Sequence, residues 1–398
     1  MRGRDPGDRS GVGVRGSIQH EASSHRAPEH HGHQRQGPGG RYRAQAGAGR
    51  KGPSRGTRQD LGIGATLAGQ RAYRIDVHRH YFPSFLVGDA REGSAIDGLR
   101  VEGDVVMHRQ GYNYPLDAEF HDIEAMVGSL DAGEVDHAVM SVAPTLYFYN
   151  AAPAEAVAFC RRTNDWIVKS GAELGGRVSG MANLPMQDPD AATVELRRCV
   201  EELGIRSAQI GTDIEGVPLD DPRYESFFAV ADELGAVFLL HPYFVGPRPG
   251  FEDFYMTNLV GLPLSTTMAA ARLFYSGFFA RHGVRFVLVH GGGYMPYKIG
   301  RLDRGYDVRP ESSSMSDRRP SGWLDHVYYD TLTHNAKALR FLIDLAGADH
   351  VLFGTDLPFD MTDPEQERVI DELPAEVGRK VWGENAMDLL GIAVPSAD

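Results

Sequence analysis

Cysteine is nearly absent, with 2 residues in 398. Cys160 and Cys199 both fall in helical patterns, which excludes a disulfide framework or a cysteine-based zinc site and fits a reducing compartment. Long apolar runs are missing too, and no secretory hydrophobic segment occurs. The expectation is a soluble, cytoplasmic protein with no membrane partner. No GxGxxG follows the first strand-like run, and the Walker spacing is absent, so the usual dinucleotide and nucleoside-triphosphate loops are excluded.

Large apolar and acidic residues are scarce before residue 73. Residues 1–72 carry 13 Arg and Lys against 5 Asp and Glu, whereas the remainder carries 28 against 49. Such asymmetry predicts a disordered, basic Gly/Arg-rich tail over 1–72, which cannot bury enough apolar surface to offset its ordering entropy. The tail has almost no aromatics to stack on bases and the body is acidic, so nucleic acid is not an expected partner. Residues 73–398 are expected to form one globular unit, interrupted by an insertion at about 83–122.

What is present is an eightfold alternation. Short β-branched runs occur at Tyr73–Val77, His137–Val142, Ser179–Leu184, Ser207–Gly211, Val237–Leu240, Arg285–Val289, Val327–Thr331 and His350–Gly354. Continuous apolar strands suit a parallel sheet buried on both faces. Between them lie helical patterns at Ala154–Glu173, Ala191–Leu203, Pro222–Leu234, Leu264–His282, Pro296–Arg304 and Asn335–Ala346. Helices at Asp363–Leu373 and Glu376–Leu390 are expected to close the structure. The pattern predicts a (β/α)8 barrel, with a hairpin from Gly98–Met107 and Tyr112–Tyr114 in the insertion.

Metal-ligating residue types gather at the ends of these runs. His78 and His80 are two apart on the first strand, so both side chains point the same way. His241 ends the fifth run and Asp356 follows the eighth. Three imidazoles and a carboxylate on one barrel rim suit one divalent, zinc-like ion. Asp76 either supports this set or caps its strand. His290 precedes three glycines, which could let the backbone approach a ligand and donate N–H groups. Strand four reads Gln209-Ile210-Gly211-Thr212, with no Lys or Glu to bridge a second metal, so His290 is expected to be an acid/base. Asp356 either binds the metal or takes a proton. Arg301 is a candidate for a substrate carboxylate, and His334 could face the same pocket.

The segments Asp76–Pro83, Asn183–Gln187, Gln209–Thr212, His241-Pro242, Asn258–Gly261, His290–Pro296, Gly300–Asp303 and Gly354–Phe359 together resemble the amidohydrolase-related family. Within it they are similar to the aminocarboxymuconate semialdehyde decarboxylases. The resemblance covers Tyr73 to about Gly391. It implies a distorted TIM barrel holding one zinc ion through His78, His80, His241 and Asp356. It also implies that His290 activates water or protonates substrate, and that Arg301 reaches a neighbour's site in a homodimer. A second substrate-binding arginine is Arg100 or Arg109. The expected function is a metal-dependent, non-oxidative decarboxylase of an unsaturated or aromatic carboxylate, a small-molecule substrate. The alternative is a zinc-dependent hydrolase of a C–O, C–N or C–C bond.

Overall fold

The computed structural model describes residues 71–111, 113–243 and 249–393. The expected tail, apart from residues 71 and 72, lies outside the described residues, as do residues 244–248 of the loop after the fifth strand.

Eight parallel strands carry the fold: β1 (Ile75–Tyr81), β2 (His137–Val142), β3 in two pieces (Val178–Gly180 and Ala182–Asn183), β4 (Ser207–Gly211), β5 (Val237–His241), β6 (Arg285–Leu288), β7 (Val327–Asp330) and β8 (Val351–Leu352). They pair in chain order. Met181 joins the two pieces of β3, its N–H donating to the Met140 carbonyl of β2 at 2.8 Å. At the other end, Val77 N–H donates to the Phe353 carbonyl at 3.0 Å, and a bridge links Arg79 to Leu357, so β1 is bonded to the chain running out of β8. A split β3, a two-residue β8 and a bulge in β1 make up the distortion of this (β/α)8 barrel.

That bulge positions the chemistry. Asp76 pairs with Ala138 but Arg79 pairs with Met140, so β1 fits one extra residue against β2. A regular strand alternates faces with period two. The extra residue lets Ile75 and Val77 face the floor of the barrel while His78 and His80 also face inward above it. Val77 packs in the floor with Val139, Met181, Leu239, Val287 and Leu352. Ala386 and Leu389, on the helix Asn385–Leu390, seal it from below. Burying such aliphatic side chains is worth roughly 1.5–3 kcal/mol each. A larger apolar layer lies between the strands and the outer helices.

Several elements differ from the expectation. β1 extends to Tyr81, so both histidines lie within the strand. The expected Leu264–His282 helix splits into Leu262–Tyr275 and Phe278–Arg281, because Gly277 at φ +68° breaks it. The expected Asp363–Leu373 helix shrinks to Gln366–Asp371, and Glu376–Leu390 is three segments joined through a π turn at Lys380–Glu384. The helix Met295–Val308 is longer than expected. Pro189–Glu201 and Ala336–Ala346 start where Asp188 and Asn335 accept their first N–H groups.

The insertion is a three-stranded antiparallel sheet rather than a hairpin: Arg100–Glu102, Val105–Met107 and Asn113–Pro115. It lies between the helices Ser84–Arg91 and Ile123–Ala132. Its last strand brings Asn113, Tyr114 and Pro115 to the cavity above the barrel.

Candidate active site

His78, His80, His241 and Asp356 are all buried, and one ligand atom from each lies within 4.8 Å of the others. The strands set this convergence. His241 is two residues above Leu239 and continues the inward parity of the floor, whereas Asp356 lies beyond β8, four residues past Leu352, on a left-handed backbone. Gly354 makes room between β8 and β1, since a Cβ there would meet His78 Cβ at 2.7 Å. The His78 carbonyl accepts from the N–H groups of both Thr355, at 3.2 Å, and Asp356, at 2.7 Å.

Each imidazole is held by its Nδ1. That of His78 donates to Asp330 Oδ2 at 2.7 Å. That of His241 donates to the Pro242 carbonyl at 2.6 Å. That of His80 lies 3.2 Å from Ser141 Oγ, which donates to Gln209 Oε1 at 2.6 Å and so accepts from the ring. Network logic thus assigns the Nδ1–H tautomer to all three. Their Nε2 atoms and Asp356 Oδ1 are buried without hydrogen-bond partners. Four orphaned atoms meeting in one place, three imidazole nitrogens and one carboxylate oxygen, fit a divalent cation.

The electrostatics point the same way. Burial would lift the Asp356 carboxyl, but the His78 charge and the close ring nitrogens of His290, His78 and His80 hold it well below the usual range. Burial pushes the His78 imidazole down, yet the Asp356 and Asp330 carboxylates outweigh it and raise it to about 10. Burial, then the neighbouring histidine charges, drives His241 well below its ordinary value. Asp356 therefore demands a positive charge beside it, and a proton on His78 or a cation in the cage satisfies that demand.

His290 stands beside the cage. Its Nε2 is 3.6 Å from Asp356 Oδ2, and its Nδ1 is buried without a partner. Asp356 therefore divides its oxygens: Oδ1 lies 2.9 Å from His80 and 3.3 Å from His78, whereas Oδ2 faces His290. His290, His334 and Asp356 all have left-handed backbones, at φ +56°, +53° and +62°. Strained residues of this kind gather at functional sites.

The glycines after His290 are tied into the barrel, and Gly291 and Gly293 also line a chamber beside the cage. The N–H groups of His290 and Gly291 donate to Asp330, at 2.9 and 2.6 Å. Gly292 and Gly293 are required by packing: a Cβ would meet the Tyr329 ring at 2.7 Å or the Pro263 carbonyl oxygen at 2.3 Å. Asp76 is a supporting residue, accepting from Thr355 Oγ1 at 2.6 Å and from the N–H groups of Thr355 and His78.

Two chambers meet at His290 and Asp356. One, of about 830 Å3, is lined by His334, Lys337, Tyr294, Tyr297 and Phe341. The other, of about 600 Å3, is lined by His241, Tyr114, Phe120, Tyr255 and Phe359. Asn258, Leu262 and Met361 also line both. His334 Nε2 donates to the Met361 carbonyl at 2.6 Å. Arg301 is exposed on the helix Met295–Val308 and lines neither chamber. Arg100 pairs with Glu102 and Arg109 with Asp97, also outside both linings.

Sequence reasoning missed Asp330, Ser141 and Gln209. Asp330 carries the same signal as Asp356, an acid ending a buried β run. Gln209 was read only for the metal-bridging residue it is not.

The amidohydrolase family model matches residues 75–392. The 2-amino-3-carboxymuconate-6-semialdehyde decarboxylase of Dictyostelium discoideum is 31% identical over 282 residues, covering 70% of this chain and 79% of that protein. The gamma-resorcylate decarboxylase of Rhizobium radiobacter is 34% identical over 289 residues, covering 68% and 83%. A solved dihydroxybenzoic acid decarboxylase from Polaromonas sp. JS666, with bound manganese and the inhibitor 2-nitroresorcinol, shares the fold. Its TM-score is 0.66 at 22% identity, covering 81% of this chain and 97% of that one. With its strand order, its inward histidines and a match over most of its length, this chain belongs to the amidohydrolase family.

Proposed function

We propose that the chain is a metal-dependent, non-oxidative decarboxylase of an unsaturated or aromatic carboxylate. The observation that carries this reading is the set of three Nδ1-anchored imidazoles whose orphaned Nε2 atoms meet Asp356 Oδ1 beside a cavity. The names of the relatives, both decarboxylases, favour this chemistry over hydrolysis.

His78, His80, His241 and Asp356 would hold one divalent ion, which supplies Lewis acidity to draw off developing negative charge. Zinc suits three imidazoles and a carboxylate, and metal analysis of purified protein decides between it and the manganese of the Polaromonas relative. The protein's own part is proton management. The carbon–carboxylate bond breaks, carbon dioxide leaves and the bonding pair stays on the substrate carbon. His290 stores the replacing proton at Nε2, oriented by Asp356 Oδ2, and delivers it to that carbon.

Arg301 is assigned to the site of a second copy, which makes the working unit a homodimer. Its exposure and its absence from its own chain's chambers support that role. A cytoplasmic setting is supported by two free, buried cysteines. Among the described residues, no helix is long and apolar enough to cross a membrane.

The test offers zinc-loaded protein and its His290→Ala variant a panel of muconate semialdehydes, hydroxybenzoates, lactones and amides. Metal-dependent carbon dioxide release that falls by about 10²–10⁴ in the variant is expected. Hydrolysis without carbon dioxide would replace this reading with the hydrolase one.

A further inference from the structure

A buried charge pair, Asp76 and Arg79, stands on the strand that carries His78 and His80. The bulge in β1 that lets both histidines face inward also leaves these two residues, three apart, on one side of the strand. Arg79 Nη1 lies 3.5 Å from Asp76 Oδ2, and both side chains are buried. Among the described residues, Arg79 is the one Lys or Arg paired with Asp76. The other arm of the guanidinium, Nη2, donates to Ser129 Oγ and lies 3.8 Å from Glu119 Oε2. Ser129 is on the helix Ile123–Ala132 and Glu119 on the turn Ala118–Phe120, both just after the inserted sheet. The planar fork is thus held at both arms.

What Asp76 holds is the turn of Asp356. Asp76 Oδ1 accepts from the N–H groups of His78 and Thr355, each at 3.1 Å. Its Oδ2 accepts from Thr355 Oγ1 at 2.6 Å, and that same hydroxyl oxygen accepts from Leu357 N–H at 3.2 Å. The residues on either side of Asp356 are therefore tied to Asp76 through one hydroxyl. Asp356 needs such bracing, since a side-chain-bearing residue keeps a φ of +62° only where its surroundings impose it. Asp76 in turn needs a cation, because an ionised carboxylate cut off from water is costly unless it is paired. Arg79 supplies that charge.

We infer that Arg79 is a positioning residue for the metal cage, holding Asp356 on its turn through Asp76 and Thr355. Arg79 lines neither chamber, so it acts on the cage from outside the space that substrate enters. The inference rests on the cage holding a divalent ion and not on the reaction carried out there. It also gives the elements after the inserted sheet a hold on the cage, because Ser129 and Glu119 grip the same guanidinium.

The test reads metal binding at equilibrium on the full chain. Zinc affinity is measured by competition with a chelator, and cobalt(II) is loaded in parallel as a spectroscopic probe of the ligand set. Arg79→Met, which keeps the stem and removes the charge, is expected to lower zinc affinity about 10–100-fold. It is also expected to move the visible cobalt bands towards those of Asp356→Ala. Arg79→Lys, which keeps the charge, is expected to recover most of the affinity. The deciding comparison is Arg79→Met placed in an Asp356→Ala chain. There it should weaken binding no further, because residues that act through one another are not additive. An equal loss with and without Asp356 overturns the inference. So do unchanged affinity and cobalt bands in Arg79→Met, whatever its urea stability, since a merely structural role lowers stability alone. If an unpaired Asp76 keeps Arg79→Met from folding, Thr355→Val takes its place by removing only the hydroxyl tie. The same loss of affinity is expected, with none further in the Asp356→Ala chain, and unchanged affinity overturns the inference. An unmutated chain that binds neither zinc nor cobalt would sink the cage itself, a result distinct from any difference between variants.

Discussion

At the scale of the residue, Asp330 does more than any side chain the sequence drew attention to. Its Oδ2 takes the His78 ring and the His290 N–H, and its Oδ1 takes the N–H groups of Gly291 and Leu332. One buried carboxylate thus orients a cage imidazole and shapes the turn that carries His290. Asp330→Ala leaves four donors without an acceptor. It is expected to weaken metal binding about 10–100-fold in a chelator competition and to cost roughly 1–3 kcal/mol in urea unfolding. Unchanged metal affinity would show that the His78 tautomer needs no such partner. The four cage residues were legible because His, His, His and Asp each stood at or just past the end of a β run. Asp330 was equally exposed to view, but a single Asp in a strand also reads as an ordinary strand end, and only the 2.7 Å contact to His78 tells the two apart.

At the scale of the element, the inserted sheet matters most, because it supplies one wall of the smaller chamber. His108 follows its second strand, stacks on Tyr114 with centroids 5.6 Å apart, and is buried. Burial, only partly opposed by Asp97, pushes its imidazole down to about 4. Between pH 6.5 and 4 the unfolded chain therefore binds a proton there that the folded chain refuses, and stability rises with pH across that window. The contribution is whole above pH 6.5 and is lost as the pH falls towards 4, a difference of about 3 kcal/mol at most. Urea unfolding from pH 4 to 7.5 should show a steeper acid loss in the wild type than in His108→Gln. Parallel curves would mean that His108 is not what the sheet fears in acid. Element positions were read well where the strand is regular, as in β2 and β4. They were read poorly where a single backbone event intervened: the bulge in β1, the left-handed Gly277, the π turn at Lys380–Glu384. Such events leave no periodic trace, because they are set by partners distant in sequence.

At the scale of the whole molecule, the barrel was legible from the eightfold alternation. The distribution of work between copies was not, because one chain's sequence does not say which surface a second chain covers. If Arg301 serves a neighbour's site, Arg301→Ala and His290→Ala chains are each inactive as homodimers yet complement one another. After subunit exchange, half of the dimers are mixed and each has one complete site. About a quarter of wild-type turnover should return. No recovery would confine Arg301 to a role on its own surface.

The His78 carbonyl that accepts from both Thr355 and Asp356 has a consequence for the order of events in the cell. On the ribosome the imidazoles of β1 emerge early and that of β5 later, while the carboxylate that completes the cage comes near the end of the chain. It reaches the cage only once β8 has docked on β1. A half-made chain can offer a passing ion nothing but imidazoles, and those belong to strands that do not yet share a face. The full set of four side chains thus exists only in the finished barrel.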